Sequence, residues 1–344
     1  MTASNCVARA GRGSRSARRP HAYHPRATTA AGRCRPWVWA RRIGTWVFFA
    51  LIAWLLVTQA RTIDWGDVQA SLAQLPRSAL LIAGMLAACS FVLYSTYDLL
   101  GRHLTGHTLG TGTVMGVTFI SYAFNLNLGS LIGGVAFRVR LYSRLGLRGS
   151  TITHVLGFSM LTNWLGYLVM AGAVLCFWPP SLPPNWELGN SGLRSLGIGL
   201  LLLAAAYLTV CACMRGRSWR VRGYDIGPPS MRIALLQLAM SCANWALMGG
   251  IIWFLLQRQV EYPHVLAVLL VAAVAGVVTH VPAGLGVLEA VFVTLLSHQL
   301  PQGRLLAALL AYRALYYLLP MAVATAAYVT TELRAKRQRR RGAG

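Results

Sequence analysis

Three charged side chains stand inside long apolar runs of this sequence, and they are the first candidates for chemistry: Asp98, Glu289 and Arg313. A charge in the hydrocarbon of a membrane is costly, so it is retained where it pairs, binds a ligand or lines a wet cavity. Glu289 and Arg313 carry opposite charges at similar expected depth, which predicts an ion pair of structural or functional use. Asp98 stands near the end of its run beside Arg102, and we interpret it as an interfacial charge.

The apolar run of 264–299 is interrupted by the sequence HVPAGLGVLE. Pro282 removes a backbone donor, and Gly284 and Gly286 permit dihedral angles that other residues avoid. We therefore predict an unwound segment here, with His280 as a group that titrates or binds a headgroup. A double crossing and a re-entrant hairpin both fit this run.

A second interrupted run lies at 109–136, where Asn125 and Asn127 accompany six glycines: Gly110, Gly112, Gly116, Gly129, Gly133 and Gly134. Basic residues flank the run at both ends, so both ends are expected on one side of the membrane. The run is then predicted to cross twice or to dip in and return, with its irregular backbone buried in protein. Close packing through Gly-x-x-x-Gly, at Gly112/Gly116 and Gly129/Gly133, explains the glycines equally well but not the asparagines.

A basic segment, FRVRLYSRLGLR, follows this run and begins with Arg138 and Arg140 at its border. Arg140, Arg144 and Arg148 would share one helical face at i, i+4 and i+8. Such a face attracts anionic lipid headgroups by about 1 kcal/mol per cation. A topology signal without binding explains the same residues.

Composition places these residues in a membrane protein. The 344 residues are 56% hydrophobic and only 12% charged, whereas soluble domains carry about 25% charged residues. The net charge of +24 lies in loops and tails between apolar runs, so we expect no nucleic acid partner. The apolar runs are continuous and do not alternate, which favours helices over a barrel. The candidate spans are 43–60, 78–100, 109–136, 151–178, 191–214, 233–257, 264–281, 284–299 and 304–331.

These observations predict an all-α, polytopic transmembrane helix bundle of about eight spans with two broken or re-entrant elements. Residues 43–331 form the transmembrane domain, between a disordered basic cytoplasmic tail at 1–42 and a basic cytoplasmic tail at 332–344. Most of the 32 Lys and Arg residues fall in segments that are inside when the N-terminus is inside. The positive-inside rule therefore predicts that both termini are cytoplasmic.

Two motifs, FNLNLGSLIGGVAFRVRLYSRLGL at 124–147 and VPAGLGVLEA at 281–290, resemble the lysylphosphatidylglycerol synthase transmembrane-region family. The likeness spans roughly 43–331 and implies a multi-pass bacterial inner-membrane protein that handles phospholipid, including its translocation between leaflets. By motif match the family's positions fall on Pro282, Gly284, Gly286 and Glu289, and through the looser first motif on Asn125, Gly133, Gly134 and Arg138. Full-length synthases add a soluble aminoacyl-transfer domain after the spans. We expect no aminoacylation, and no enzyme, from this chain.

The expected function is the binding and translocation of a phospholipid or related anionic lipid, without a cofactor or metal. The expected site comprises Asn125, Asn127, Arg138, Arg140, His280, Pro282, Gly284, Gly286, Glu289 and Arg313. One alternative is an intramembrane lipid-modifying enzyme with Glu289 or His280 as general base. Another is an accessory subunit that binds a lipid-synthesis enzyme, and a homo-oligomer is also considered. The motifs of metalloproteases, serine hydrolases, P-loop proteins and Rossmann enzymes are absent.

Overall fold

The computed structural model describes residues 65–180, 189–214, 219–221, 224–279 and 281–341. The α-helices are α1 Trp65–Ala73, α2 Arg77–Ser95, α3 Tyr97–Thr105, α4 Thr111–Leu128, α5 Phe137–Arg144, α6 Gly149–Phe177, α7 Asn190–Cys213, α8 Met231–Leu255, α9 Tyr262–Thr279, α10 Val287–Leu296, α11 Gln302–Arg313 and α12 Leu319–Arg341. Two π-helical turns occupy Ser130–Ala136 and Ala314–Leu318, and a 3-10 turn occupies Pro282–Gly284. A small antiparallel hairpin joins β1 Trp219–Val221 to β2 Tyr224–Ile226. The predicted span at 43–60 and His280 lie outside the described residues.

The all-α, multi-pass prediction is confirmed by the length and apolar character of the helices. Among the described residues, six stretches are long and apolar enough to cross a membrane: 77–105, 149–177, 191–213, 231–255, 262–279 and 302–331. Many of their apolar side chains point outward, including Leu81 and Val278 at 69% exposure and Phe177 at 70%. An exposed apolar surface of this kind is solvated by lipid tails.

The bundle has two ends that can be told apart by their contacts. At one end, which we call the Arg304 end, Arg304 Nη1 donates to Gln259 Oε1 over 3.0 Å. Gly303 also lies there against Asp67 of α1. The opposite end, which we call the Arg148 end, holds the C-terminus of α3, the N-terminus of α6 and the residues before α8.

The first hairpin, residues 111–144, starts and finishes at the Arg148 end. The chain reverses at Gly129, whose φ of +85° is open to glycine at little cost. A Cβ on Gly133 would lie only 2.2 Å from the carbonyl carbon of Phe124, so the returning helical arm of the hairpin packs directly against the backbone of α4. Phe124 and Phe137 stack with centroids 4.3 Å apart. The predicted hairpin is therefore present.

Among the described residues, the first glycine pair shows no Gly-x-x-x-Gly packing. A Cβ added at Gly112 or Gly116 meets none of them within 4 Å, so no described helix packs closely there. Close approach occurs instead at Gly133, within the hairpin itself.

The second hairpin, residues 262–296, starts and finishes at the Arg304 end. Its returning helix α10 has 10 residues and is roughly 15 Å long, half of the roughly 30 Å of membrane hydrocarbon. This length favours a re-entrant hairpin over a double crossing for the 264–299 run. Its turn is unwound as predicted, with positive φ at Ala283, Gly284 and Gly286. Helix α4 contacts this turn, so hairpins from opposite ends meet.

Candidate functional site

The predicted ion pair between Glu289 and Arg313 is present where the two hairpins meet. Arg313 Nε donates to Glu289 Oε1, and Arg313 Nη2 donates to Glu289 Oε2 over 3.0 Å. The side chains of Arg313 and Glu289 are 10% and 17% exposed. This two-pronged contact uses the planar fork of the guanidinium, which a lysine does not offer.

Arg313 also satisfies backbone carbonyls that the broken turn leaves free. Its Nη1 donates to Ala283 O over 3.0 Å and its Nη2 to Gly284 O over 2.8 Å. An unwound segment within a membrane needs such partners, because no water or regular helix supplies them. The side chain leaves α11 at its last residue, where the backbone widens into a π-helical turn. Arg313 thus fastens the second turn to α11.

Asp98 forms a second ion pair, with Arg138 of the first hairpin. Arg138 Nε lies 3.4 Å from Asp98 Oδ2, and the two side chains are 3% and 0% exposed. Tyr142 Oη donates to the same oxygen over 2.8 Å, whereas Asp98 Oδ1 has no hydrogen-bond partner among the described residues. The interpretation of Asp98 as an interfacial charge is wrong, because the returning arm of the hairpin carries a cation inward to meet it.

A column of tyrosines connects the two ion pairs through the interior. The Arg138 guanidinium carbon lies 5.8 Å from the centroid of Tyr94, and Tyr94 stacks on Tyr122 at 3.5 Å. Tyr122 Oη lies 3.0 Å from Tyr316 Oη. At the far end, the Arg313 guanidinium carbon lies 5.3 Å from the centroid of Tyr317.

Polar side chains of α2, α4 and α8 join this column. Ser90 Oγ donates to Asn244 Oδ1 over 2.7 Å and also lies 2.7 Å from Tyr316 Oη. Asn127 Nδ2 donates to Tyr317 O over 3.1 Å. Ring contacts and hydrogen bonds therefore alternate between the two ion pairs, within a core that is otherwise apolar.

Comparison with known proteins agrees with this architecture. The family model described as the lysylphosphatidylglycerol synthase TM region matches residues 43–324. The chain belongs to this family.

Relatives of the family differ in how much of their length they share with the chain. Inner membrane protein YbhN of Escherichia coli is 46% identical over 304 residues, 88% of this chain and 96% of that protein. An uncharacterized protein of Synechocystis is 29% identical over 280 residues, 80% of this chain and 87% of its own length. A phosphatidylglycerol lysyltransferase of Staphylococcus aureus is 19% identical over 290 residues, but these cover only 32% of that enzyme.

Several residues that carry the family resemblance have defined places in the structure. The side chain of Asn125 lies over Gly134, where an added Cβ would come within 2.9 Å of Asn125 Oδ1. Pro282 begins the 3-10 turn, and Gly286 directly precedes α10 in a left-handed conformation. These residues shape the turns, and a role in binding lipid stays a prediction for each of them.

The basic face predicted for Arg140, Arg144 and Arg148 is wrong as a single helical face. Helix α5 ends at Arg144, Gly146 adopts a φ of +85°, and Arg148 occupies the residue position directly before α6. Arg140 is exposed, with its guanidinium carbon 5.9 Å from the centroid of Tyr328. It belongs to neither ion pair.

The residues missed by sequence reasoning are Tyr94, Tyr122, Ser90 and Asn244. Tyr94 and Asp98 are spaced by one helical turn, which was a usable sign that they share a face.

Among the described residues, no three His, Cys, Asp or Glu side chains come together as a metal ion would require. In the loop before α4, burial lowers the pKa of His107, the nearby Arg102 lowers it further, and Asp98 opposes this shift in part.

Proposed function

We propose that this protein binds an anionic phospholipid where its two hairpins meet and moves it between the leaflets of the bacterial inner membrane. The observation that carries the proposal is the Glu289–Arg313 pair, which is partly exposed and fastened to a broken turn. Broken helices that meet near mid-membrane from opposite sides are typical of transporter binding sites. The names of two relatives, an inner membrane protein and a phosphatidylglycerol lysyltransferase, agree with the location and the lipid class.

The chemistry of the proposed step is an exchange of anions on Arg313. A lipid phosphate has oxygens that fit the guanidinium fork as the carboxylate of Glu289 does. When phosphate replaces Glu289, Arg313 keeps a counter-ion throughout. The displaced Glu289 carboxylate then takes up a proton or is hydrated, because an unpaired carboxylate in the membrane is costly. Arg313 would also release Ala283 O or Gly284 O, which frees the turn to rearrange.

The proposed orientation follows the distribution of arginine. The Arg148 end is cytoplasmic, because the loops that join α5 to α6 and α7 to α8 carry most of the loop arginines. Both termini are then cytoplasmic. Lipid would move between the hairpin that starts from the cytoplasmic end and the hairpin that starts from the opposite end.

Reconstitution into liposomes with fluorescent phosphatidylglycerol tests this proposal. Quenching of the outer-leaflet label reports how fast the inner-leaflet label becomes accessible. We expect exchange with the wild type and with Arg304→Gln, which changes an arginine at the surface. We expect its loss with Arg313→Gln. Wild-type exchange no faster than in protein-free liposomes would contradict translocation.

The enzyme alternative is less well supported by the same geometry. Both oxygens of Glu289 accept from Arg313, which makes this carboxylate a counter-ion instead of a general base. We therefore propose no catalytic role. An accessory subunit would retain bound phosphatidylglycerol without leaflet exchange, so the liposome assay also separates that alternative.

A further inference from the structure

A groove of about 500 Å³ opens at the Arg148 end, and no member of either ion pair lines it. Its walls come from α3, α6, α7 and the segment 227–229, and its lining is mainly apolar, with Leu104, Phe158 and Leu161 among the side chains. This volume falls within the roughly 300–1,000 Å³ of sites that hold small-molecule ligands. Neither the ion pairs nor the tyrosine column account for it.

The wall of the groove at Tyr207 is held in place by buried hydrogen bonds. Tyr207 Oη donates to Gln237 Oε1 over 2.7 Å, and Gln237 Nε2 donates to Thr162 Oγ1 over 2.7 Å. Gln237 and Thr162 are fully buried. The chain of bonds ties α6, α7 and α8 together, so the groove is formed before a ligand arrives and little ordering accompanies binding.

The depth of the groove matches one leaflet of a membrane. Along α6 its lining runs from Thr153 to Leu161, or roughly 6 to 18 Å beyond the first residue of that helix. One leaflet of hydrocarbon is roughly 15 Å thick. An acyl chain that enters from the Arg148 end therefore fits along the groove.

The charges around the groove favour an anionic head. No acidic residue lines the groove. Arg148 directly precedes α6, Arg232 follows the segment 227–229 by three residues, and both are exposed. The sequence leading into its wall, 215–232, contains five arginines and one aspartate, Asp225. A lipid with a negative phosphate is complementary to this rim.

We propose that the groove binds one acyl chain of an anionic phospholipid, with the phosphate at the level of Arg148 and Arg232. This lipid is a resident ligand and is separate from lipid that is exchanged between the hairpins. The proposal does not depend on translocation, because the groove shares no residue with either ion pair.

The test uses the full chain in phosphatidylcholine nanodiscs with a phosphatidylglycerol probe that carries a diazirine near the end of one acyl chain. Gly157 lines the groove, and an added Cβ there meets none of the described residues within 4 Å, so Gly157→Leu places its side chain in groove space. Gly199→Leu is the matched control, since Gly199 also faces open space but does not line the groove. We expect the probe to label 153–161 in the wild type and in Gly199→Leu, with loss of that labelling in Gly157→Leu.

Headgroup preference is tested with a phosphatidylcholine probe of the same acyl structure. We expect stronger labelling of 153–161 by the phosphatidylglycerol probe, and loss of this preference when Arg148→Gln and Arg232→Gln are combined. Arg194→Gln, at the Arg304 end, should keep the preference. Undiminished labelling in Gly157→Leu, or equal labelling of the wild type by the two probes, would overturn the proposal.

Discussion

The two hairpins use an ion pair in opposite ways. In the first hairpin Gly133 presses on the backbone of Phe124, and the Asp98–Arg138 pair is almost fully sealed from solvent. In the second hairpin Arg313 holds the turn by its carbonyls, and both members of its ion pair retain some exposure. The first turn is thus fixed by backbone packing and the second by one side chain.

This difference indicates which part of the molecule can rearrange. A glycine contact between backbones has no alternative partner and stays closed as long as the protein is folded. A guanidinium can exchange one anion for another, because carboxylate and phosphate both fit its planar fork. The second hairpin is therefore the one expected to respond to lipid, and the first is the support against which it moves.

The largest expected effect comes from breaking the sealed ion pair. Asp98→Asn leaves Arg138 buried without a counter-ion, which should lower the free energy of unfolding by about 3–5 kcal/mol. Reversible unfolding in mixed micelles measures this quantity. The double variant Asp98→Asn/Arg138→Gln should recover part of the loss. A single variant as stable as the wild type would mean that the pair is not sealed as described.

Next in size is a substitution that separates the backbones of the first hairpin. A Cβ from Gly133→Ala would lie 2.2 Å from the Phe124 carbonyl atoms, so the loss should be about 3 kcal/mol. The matched control is Gly116→Ala, whose Cβ meets nothing within 4 Å and which should be neutral or stabilising by up to about 1 kcal/mol. Equal stability of the two variants in thermal unfolding would argue against the close packing.

A smaller effect is expected for the pair of the second hairpin. Glu289→Gln removes a charge, but Arg313 keeps its two carbonyl partners and some exposure, so about 2 kcal/mol should be lost. Glu289→Gln and Arg313→Gln should be non-additive in a double-mutant cycle of unfolding free energies. If Glu289→Gln and Asp98→Asn lower the free energy of unfolding equally, the contrast between the hairpins is contradicted. If the losses from Glu289→Gln and Arg313→Gln add strictly, the two side chains do not interact.

The smallest effect is expected within the tyrosine column. Tyr316→Phe deletes a buried hydroxyl that contacts Ser90 and Tyr122, and should cost about 1 kcal/mol. Tyr312→Phe is the control, because the Tyr312 hydroxyl has no hydrogen-bond partner in the part of the chain that the structure describes. It should be neutral or slightly stabilising. If thermal unfolding shows Tyr312→Phe to be less stable than Tyr316→Phe, the hydrogen bonds described for the Tyr316 hydroxyl are contradicted.

How far sequence reasoning reached depends on where each partner comes from. The Glu289–Arg313 pair was predictable, because two opposite charges within apolar runs have few other partners. Asp98 was misjudged, because its partner Arg138 approaches through the folding back of a hairpin, a contact that spacing along the chain does not reveal. The prediction that Arg140, Arg144 and Arg148 share one helical face was wrong, because the helix ends at Arg144, shortly before Gly146 adopts a left-handed conformation.

The hairpins themselves were visible as glycines, a proline and asparagines within apolar runs. The tyrosine column was not visible in the sequence, because tyrosines in apolar runs commonly serve packing alone. Its hydrogen bonds join Ser90, Asn244 and Tyr316, which are far apart in sequence, so only the packed helices bring them together.

Hydrogen–deuterium exchange of the full chain in nanodiscs tests most directly the claim that the second hairpin responds to anionic lipid and the first does not. Exchange is compared in phosphatidylcholine alone and with phosphatidylglycerol added. We predict that phosphatidylglycerol changes the exchange of residues 281–286, that 124–134 stays unchanged, and that Arg313→Gln abolishes the response. No lipid-dependent change at 281–286, or an equal change at 124–134, would contradict the account.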